Sequence, residues 1–324
     1  MVRSLRQFVP DATTWVLCLS STAYDILNRI AEPGVRPIAL RDFEAGDAPL
    51  AAAKQDGRSQ IEYYFTCTPS LIRYVMRAAP QAELVTYLDS DLGFFADPEP
   101  IYQEAGNAPI IVVPHRFPPA LRHREIYGIY NVGWVSFRHN DEAISCIEWW
   151  RARCLEWCSD RVDSVNQRFA DQRYLDQFPA IYPGTHVLRH KGANLAPWNL
   201  GADKISLENG RVIVAGRDPL IFFHFHGLKT LDKRTVLTAL EAYRVPLTSI
   251  IRKAIYLPYL KEIRRIENEL APFLPEVPKA LRELAGGSSN MRGARLKNRL
   301  RGLRAFITRS YIRLPPDPKP AADR

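Results

Sequence analysis

Short apolar runs alternate with helix-length amphipathic segments along the chain to about residue 235, and this alternation confines the fold to a sheet clothed in helices. The runs lie at 14–19 (TWVLCL), 35–40 (VRPIAL), 84–88 (LVTYL), 109–114 (PIIVVP), 131–137 (NVGWVSF) and 220–225 (LIFFHF). Each has strand length, and several are apolar throughout, as in strands buried on both faces. Helices are expected over 21–29, 69–78 and 141–157, the last with Ile144, Ile147 and Trp150 along one side. The stretch 41–57 reads as a polar connection, 171–177 as the opening of a helix or turn, and the chain from 236 onward as mainly helical. The expected class is α/β, with a mostly parallel central sheet flanked by helices. Neither G-x-G-x-x-G nor G-x-x-x-x-G-K-[ST] occurs, which disfavours a dinucleotide fold and a P-loop.

One of these runs ends in chemistry. The strand 84–88 leads into Asp89-Ser90-Asp91, then through Gly93, Phe94 and Phe95 to Asp97-Pro98. Residues i and i+2 of a strand point the same way, so Asp89 and Asp91 can converge just outside the sheet. Two hard oxygen donors suit Mn²⁺ or Mg²⁺, ions that keep coordination positions open for substrate phosphates. An isolated D-x-D is commonplace; the buried strand before it and the Asp-Pro after it distinguish this one.

Charge is unevenly distributed. The formal net charge is +9, and residues 286–313 hold eight basic residues (Arg292, Arg295, Lys297, Arg299, Arg301, Arg304, Arg309, Arg313) and no acidic ones. The remainder is close to neutral, unlike a nucleic-acid groove with cations spread through the fold, so no nucleic-acid partner is expected. Within the tail Leu296, Leu300, Leu303 and Ile307 form an apolar stripe, making 291–313 a candidate basic amphipathic helix for an anionic membrane surface. The Pro-rich end, PPDPKPAADR, is expected to be disordered. No apolar run approaches the roughly 18 residues of a membrane-spanning helix, and MVRSLRQFVPDATTW lacks the features of a secretory signal. The five cysteines (Cys18, Cys67, Cys146, Cys154, Cys158) include no C-x-x-C pair and read as buried thiols of a reducing, cytoplasmic compartment.

Downstream segments place polar residues at strand ends, where α/β proteins bind ligands. Tyr130-Asn131-Val132-Gly133 offers an amide able to bond sugar hydroxyls and a glycine permitting close approach. The segment 169–173 carries Asp171 and Gln172 among apolar neighbours. The loop RHKGANLAPWN supplies Lys191 for a phosphate, Asn194 and Asn199 for hydroxyls, and Trp198 for a sugar face. The run LIFFHF delivers His224 and His226 at i and i+2, followed by Gly227 and Lys229.

Taken in order, WVLCLS, Arg73 in SLIRYVM, YLDSD, YNVGWVSF, ADQRYL and HFHGLK resemble the GT-A glycosyltransferases, most closely glycosyltransferase family 8 and its bacterial relatives. The likeness covers about residues 14–230. It implies a GT-A catalytic domain over 1–235, a helical extension over 236–285 and the basic helix and tail over 286–324. It implies a metal-dependent hexosyl transfer from a nucleotide-diphosphate-sugar to a glycan or lipid-linked acceptor in bacterial cell-surface polysaccharide synthesis, at the inner face of the membrane. By the same likeness Asp89, Asp91 and His224 bind Mn²⁺, with Asp89 also at the donor diphosphate. Lys229 and Arg73 contact phosphate, and Asn131, Asp171 and Gln172 surround the sugar. Cys18, Ser20 and Tyr24 lie near the base, while Asn194, Trp198, Asn199 and His226 face sugar or acceptor. The pattern departs in one respect: Lys229 lies one residue closer to His224 than in the family, and the following Pro-Trp is missing. Two stereochemical courses are open. With inversion Asp171 is the carboxylate available to take the acceptor proton; with retention, as the family 8 likeness implies, the leaving diphosphate takes it and Gln172 stabilises the cationic sugar. The rival classes are an inactive GT-A-like binding protein and a nucleic-acid binder using the arginine tail.

Overall fold

The computed structural model describes residues 1–232, 234–273 and 305–315. The chain opens with α1 (Val2–Arg6), β1 (Thr14–Cys18), α2 (Ser21–Ile30), β2 (Val35–Ala39), α3 (Leu40–Ala45), α4 (Ala48–Ala53) and α5 (Gln60–Ala78). Next come β3 (Leu84–Leu88), β4 (Leu92–Phe94), α6 (Glu99–Ala105), β5 (Ile110–Pro114), β6 (Tyr130–Arg138) and α7 (Asp141–Glu156). After a 3₁₀ turn at Gln172–Gln177 follow α8 (Phe178–Ile181), β7 (Thr185–Val187), β8 (Ile205–Glu208), β9 (Arg211–Val214), β10 (Asp218–Pro219) and β11 (Phe222–His224). The described part closes with β12 (Lys229–Thr230), β13 (Thr235–Leu237), a π-helical turn at Ile251–Tyr256 running into α9 (Leu257–Glu269), and β14 (Tyr311–Arg313).

The class is α/β, but the central sheet is mixed rather than mostly parallel. Its order is β3-β6-β5-β7, with β6 antiparallel to both neighbours and only β5–β7 parallel. Parallel neighbours need a long crossover, usually a helix. The β5–β6 link carries only a 3₁₀ stretch, Pro119–Tyr127, so the chain turns back beside the strand it left. The parallel pair β1–β2 stands apart, and among the described residues no ladder joins β1 to β3. A cavity of about 490 Å³, lined by Trp15, Leu71, Val75, Leu84 and Tyr87, lies between them. On one side of the central sheet α7 and α8 pack Trp150, Ile147 and Phe178 against Val112, Val135 and Phe137. A second core joins Leu195, Phe223 and Phe225 to Val236, Ile255, Tyr256 and Ile312.

Two segments differ from expectation for local reasons. The connection 41–57 contains α3 and α4, the second capped by Asp47, whose carboxylate accepts from Leu50 N; Phe43 and Leu50 are buried. Helix α5 starts at Gln60 because Ser59 and Glu62 form a reciprocal capping box, and Pro69 falls inside it instead of opening it. The tail is corrected at its end: Tyr311–Arg313 is a strand paired antiparallel with β13, and Ile312 and Leu314 are core residues. The proposed helix 291–313 therefore cannot extend to 313. The stretch 291–304, like the Pro-rich end from 316, lies outside the described residues. All five cysteines are buried free thiols. Among the described residues no helix is long and apolar enough to cross a membrane.

Candidate metal centre

Strand β3 stops at Leu88, so Asp89, Ser90 and Asp91 form the link to β4 rather than continuing a ladder. Two backbone bonds and one strand pairing fix that link. Asp89 N donates to Gly133 O on β6 at 3.1 Å, Phe225 N donates to Asp91 O at 2.9 Å, and β4 pairs with β11 so that Leu92 faces His224. His224 N is held in turn by Leu195 O at 2.8 Å. These constraints bring His224 Nε2 to 3.0 Å from Asp91 Oδ1 and 3.7 Å from Asp89 Oδ2. One donor atom from each of the three residues lies within 4.8 Å of the others.

The electrostatics match this grouping. His224 is nearly inaccessible, with its side chain 4% exposed, whereas those of Asp89 and Asp91 are 28% and 44% exposed. The cluster is thus open on its carboxylate side and closed behind the imidazole. Burial pushes Asp89 upward, and the charge of Asp91 adds to this against the pull of His224. Burial also opposes ionisation of Asp91, but its hydrogen bond to His224 outweighs that and holds it below the usual range. For His224 burial lowers the pKa, yet the bond to Asp91 and both carboxylate charges carry it above its ordinary value.

The residues fit a divalent metal ion. They supply two carboxylate oxygens and an imidazole nitrogen, a mixed donor set of the kind that binds divalent cations. His224 Nδ1 is already bonded to Asn131 Oδ1 at 3.2 Å, which turns Nε2 toward the carboxylates. Gly133 makes this possible: a Cβ there would lie 2.7 Å from His224 Cε1 and 2.8 Å from Asn131 Oδ1. The close approach expected for a substrate is occupied by the protein's own histidine.

Of the other expected residues, several are drawn into this network. Asn131 is buried, and its amide is committed to His224, Gln172 and His115. Gln172 accepts from Asn131 and from Val132 N, and donates to Tyr127 O at 2.9 Å. Asp171 is 2% exposed, and burial raises its carboxyl to about 7; a hydrogen bond from Thr68 opposes this and the charge of Asp89 adds to it. Trp198 is 4% exposed, with its ring edge-on to His224, His226 and His115 at centroid distances of 5.0, 5.5 and 5.2 Å. It forms a wall behind the histidines rather than an open stacking platform. His226 is exposed where His224 is buried, because β11 ends at His224 and the i, i+2 rule lapses beyond it.

Others are placed elsewhere or held by neighbours. Arg73, on α5, pairs with Glu148 of α7 and lies 3.8 Å from Asp47. Lys191 Nζ sits 3.0 Å from Asp203. Asn199 is spent on its own turn, bonding Ala196 N, His115 O and Asn194 O. Asn194 is fully buried with neither amide atom bonded. Lys229 lies on β12, past the histidines. Cys18, whose thiol burial raises to about 11, ends β1. Ser20 caps α2 through Ala23 N at 3.1 Å, and Tyr24 is half-buried on that helix. Sequence reasoning missed His115, just past the end of β5, and Tyr87, whose hydroxyl donates to Asp89 Oδ1 at 3.0 Å. A histidine directly after PIIVVP was the available signal for the first.

Comparison with known proteins gives relatives along nearly the whole chain. The Bacillus subtilis (strain 168) protein YfnD, described as uncharacterized, is 32% identical over 277 residues, covering 85% of this chain and 87% of YfnD. The chain belongs to the YfnD family. YfnF of the same organism, also described as uncharacterized, is 30% identical over 254 residues, covering 76% of this chain and 82% of YfnF. No family model matches. Among solved structures the apo form of mouse xyloside xylosyltransferase 1 aligns with 62% of this chain and 81% of its own, at a TM-score of 0.36 and 13% identity. So low a score carries nothing further about this member of the YfnD family.

Proposed function

We propose that the protein is a metal-dependent glycosyltransferase of the GT-A type. It would move a sugar from a nucleotide-diphosphate-sugar to a hydroxyl of a glycan or lipid-linked acceptor. The observation that carries this reading is the convergence of Asp89, Asp91 and His224, from separate strand ends, on one point that is open on its carboxylate side. The ordered resemblance to family 8 from WVLCLS to HFHGLK supports it.

Asp89, Asp91 and His224 Nε2 would hold the cation. When bound, Mn²⁺ or Mg²⁺ supplies positive charge against the leaving diphosphate, a contribution of several kcal/mol at the transition state. The bond from the sugar's anomeric carbon to phosphate breaks and a bond to the acceptor oxygen forms. The acceptor proton passes to the diphosphate if configuration is retained, or to a carboxylate if it is inverted. The burial of Asp171 favours retention, since a base that is 2% exposed is poorly presented to an acceptor. Lys229, beyond the histidines, is the cation proposed for the diphosphate.

A panel of nucleotide-sugars tests this reading, scored for thermal stabilisation and slow hydrolysis with Mn²⁺ and with EDTA. At least one donor should stabilise and turn over only with the ion; no response from any donor would defeat the proposal. The basic tail is proposed to hold the enzyme at anionic lipid on the cytoplasmic side, where a lipid-linked acceptor would lie. Replacing Arg292, Arg295, Arg299 and Arg301 with Gln should weaken binding to anionic vesicles by about 1 kcal/mol per charge. Unchanged sedimentation with such vesicles would place any foothold elsewhere. Deleting 286–324 is a poorer test, because it would also remove β14 and its core residue Ile312.

A further inference from the structure

The amide groups around His224 can be oriented from backbone atoms alone. Val132 N–H must donate, so the Gln172 atom 3.2 Å away is its oxygen; Tyr127 O must accept, so the Gln172 atom 2.9 Å from it is its nitrogen. Gln172 Oε1 therefore faces Asn131 at 3.0 Å, and the Asn131 atom there must be Nδ2. A second line gives the same answer. His115 Nδ1 lies 3.3 Å from Ile129 O, an obligate acceptor, so Nδ1 carries the proton and Nε2 is a lone pair. That lone pair faces Asn131 Nδ2 at 3.3 Å. Both hydrogens of the Asn131 amide are thus claimed, and its Oδ1 can only face His224 Nδ1.

We propose that His115 is a positioning residue which, together with Gln172, locks the Asn131 amide so that His224 keeps its proton on Nδ1 and presents Nε2 to a divalent cation. A flipped Asn131 would set its oxygen against Gln172 Oε1 and the His115 lone pair at once. It would also offer N–H to His224 Nδ1, drawing a lone pair there and the proton to Nε2. Partners of this kind on a ligating histidine are typically worth 10–100-fold in metal affinity. Burial holds His115 down to about 3; the bond to Ile129 O opposes this, and the neighbouring charges of His224 and His226 reinforce it. His115 therefore stays neutral, and its acceptor lone pair persists across the working pH range. The packing is equally specific, with Trp198 edge-on to the rings of both His115 and His224.

The inference rests on the metal reading of Asp89, Asp91 and His224, and its test separates the two. Side-chain ¹H–¹⁵N spectra of histidine-labelled full-length protein are recorded without metal and with Zn²⁺ as a diamagnetic probe. His224 should keep its Nδ1–H in both states, and His115 should show Nδ1–H. Loss of the His224 Nδ1 proton on loading, or an Nε2–H form of His115, overturns the lock. Calorimetry then measures Mn²⁺ affinity in two variants. His115→Leu should bind about tenfold more weakly, whereas His115→Gln, which can still accept from Asn131, should bind close to wild type. A folded His115→Leu with wild-type affinity overturns the proposal. Should that variant not fold, the wild-type spectra and the His115→Gln affinity decide. Failure of the wild-type protein to bind either ion would strike the metal reading itself.

Discussion

The acidic and basic residues singled out by sequence fare differently, and the contrast explains where binding chemistry can reside. Asp89 and Asp91 are held near each other, with His224 Nε2 against both and their carboxylates partly exposed. Arg73 and Lys191, read as phosphate ligands, have carboxylates against them: Glu148 and Asp47 for the first, Asp203 for the second. Two carboxylates this close repel each other, and a divalent ion relieves that repulsion. A paired guanidinium or ammonium has already satisfied its field and gains less from a diphosphate.

The largest effect that could break this contrast is at the histidines. His224→Ala removes the proposed buried ligand and strands Asn131 Oδ1, so Mn²⁺ affinity should fall by roughly 100-fold or more, and high Mn²⁺ should partly restore activity. His226→Ala, at an exposed position, should leave Mn²⁺ affinity within about threefold. Equal losses in calorimetric titrations of the two would dissolve the distinction between them.

Asp171 sharpens the contrast from the side of stability. Its folded-state pKa of about 7 lies above that of an unfolded aspartate. The unfolded chain therefore releases this proton first, and stability is lost as pH rises from about 4 to about 7, then stays constant. Asp171→Asn should gain up to about 4 kcal/mol above pH 7, less whatever the buried amide costs, and nothing below about pH 4. Denaturant melts across that range read the sign directly; an Asn variant less stable than wild type at pH 8 and no less stable at pH 4 would mean that the fold favours the Asp171 carboxylate over its neutral form.

The smallest effects should lie at the paired cations. Lys191→Gln and Arg73→Gln should each cost about 0–1 kcal/mol of stability and change the KM for donor by less than about threefold. A tenfold rise in KM from either would show that its carboxylate partner yields to substrate, and the basic half of the contrast would fail.

Local pattern made the longer strands legible, those of five or more residues, while most of the two- to four-residue strands went unread. The run LVTYL is β3 residue for residue, and 131–137 lies within β6, because buried strands of β-branched and aromatic residues announce themselves. Pairing directions were not legible, since they depend on connections: a fifteen-residue link could have held a crossover helix, and only its 3₁₀ conformation made β6 antiparallel. At the site, Asp89 and Asp91 could be read from type and spacing, whereas His224 was singled out from His226 only through the family resemblance. His115, Gln172 and Gly133 have roles set by contacts across the sheet. Gly133 illustrates the difference: sequence offers a gap for a ligand, and the fold fills that gap with an imidazole. The strand β14 was hidden because its partner lies far away in sequence, at β13.

The central claim is that the strand-end carboxylates bind a nucleotide diphosphate through a divalent ion. It is tested most directly by calorimetric titration of a nucleoside diphosphate into wild type and Asp91→Ala, each with Mn²⁺ and with EDTA. The Asp91 side chain is 44% exposed, so its truncation should leave the fold and melting temperature nearly unchanged. Wild type should bind only with Mn²⁺, and the variant should show no Mn²⁺-dependent component. Equal affinities in the two proteins, or equal affinities with and without the ion, would contradict the account.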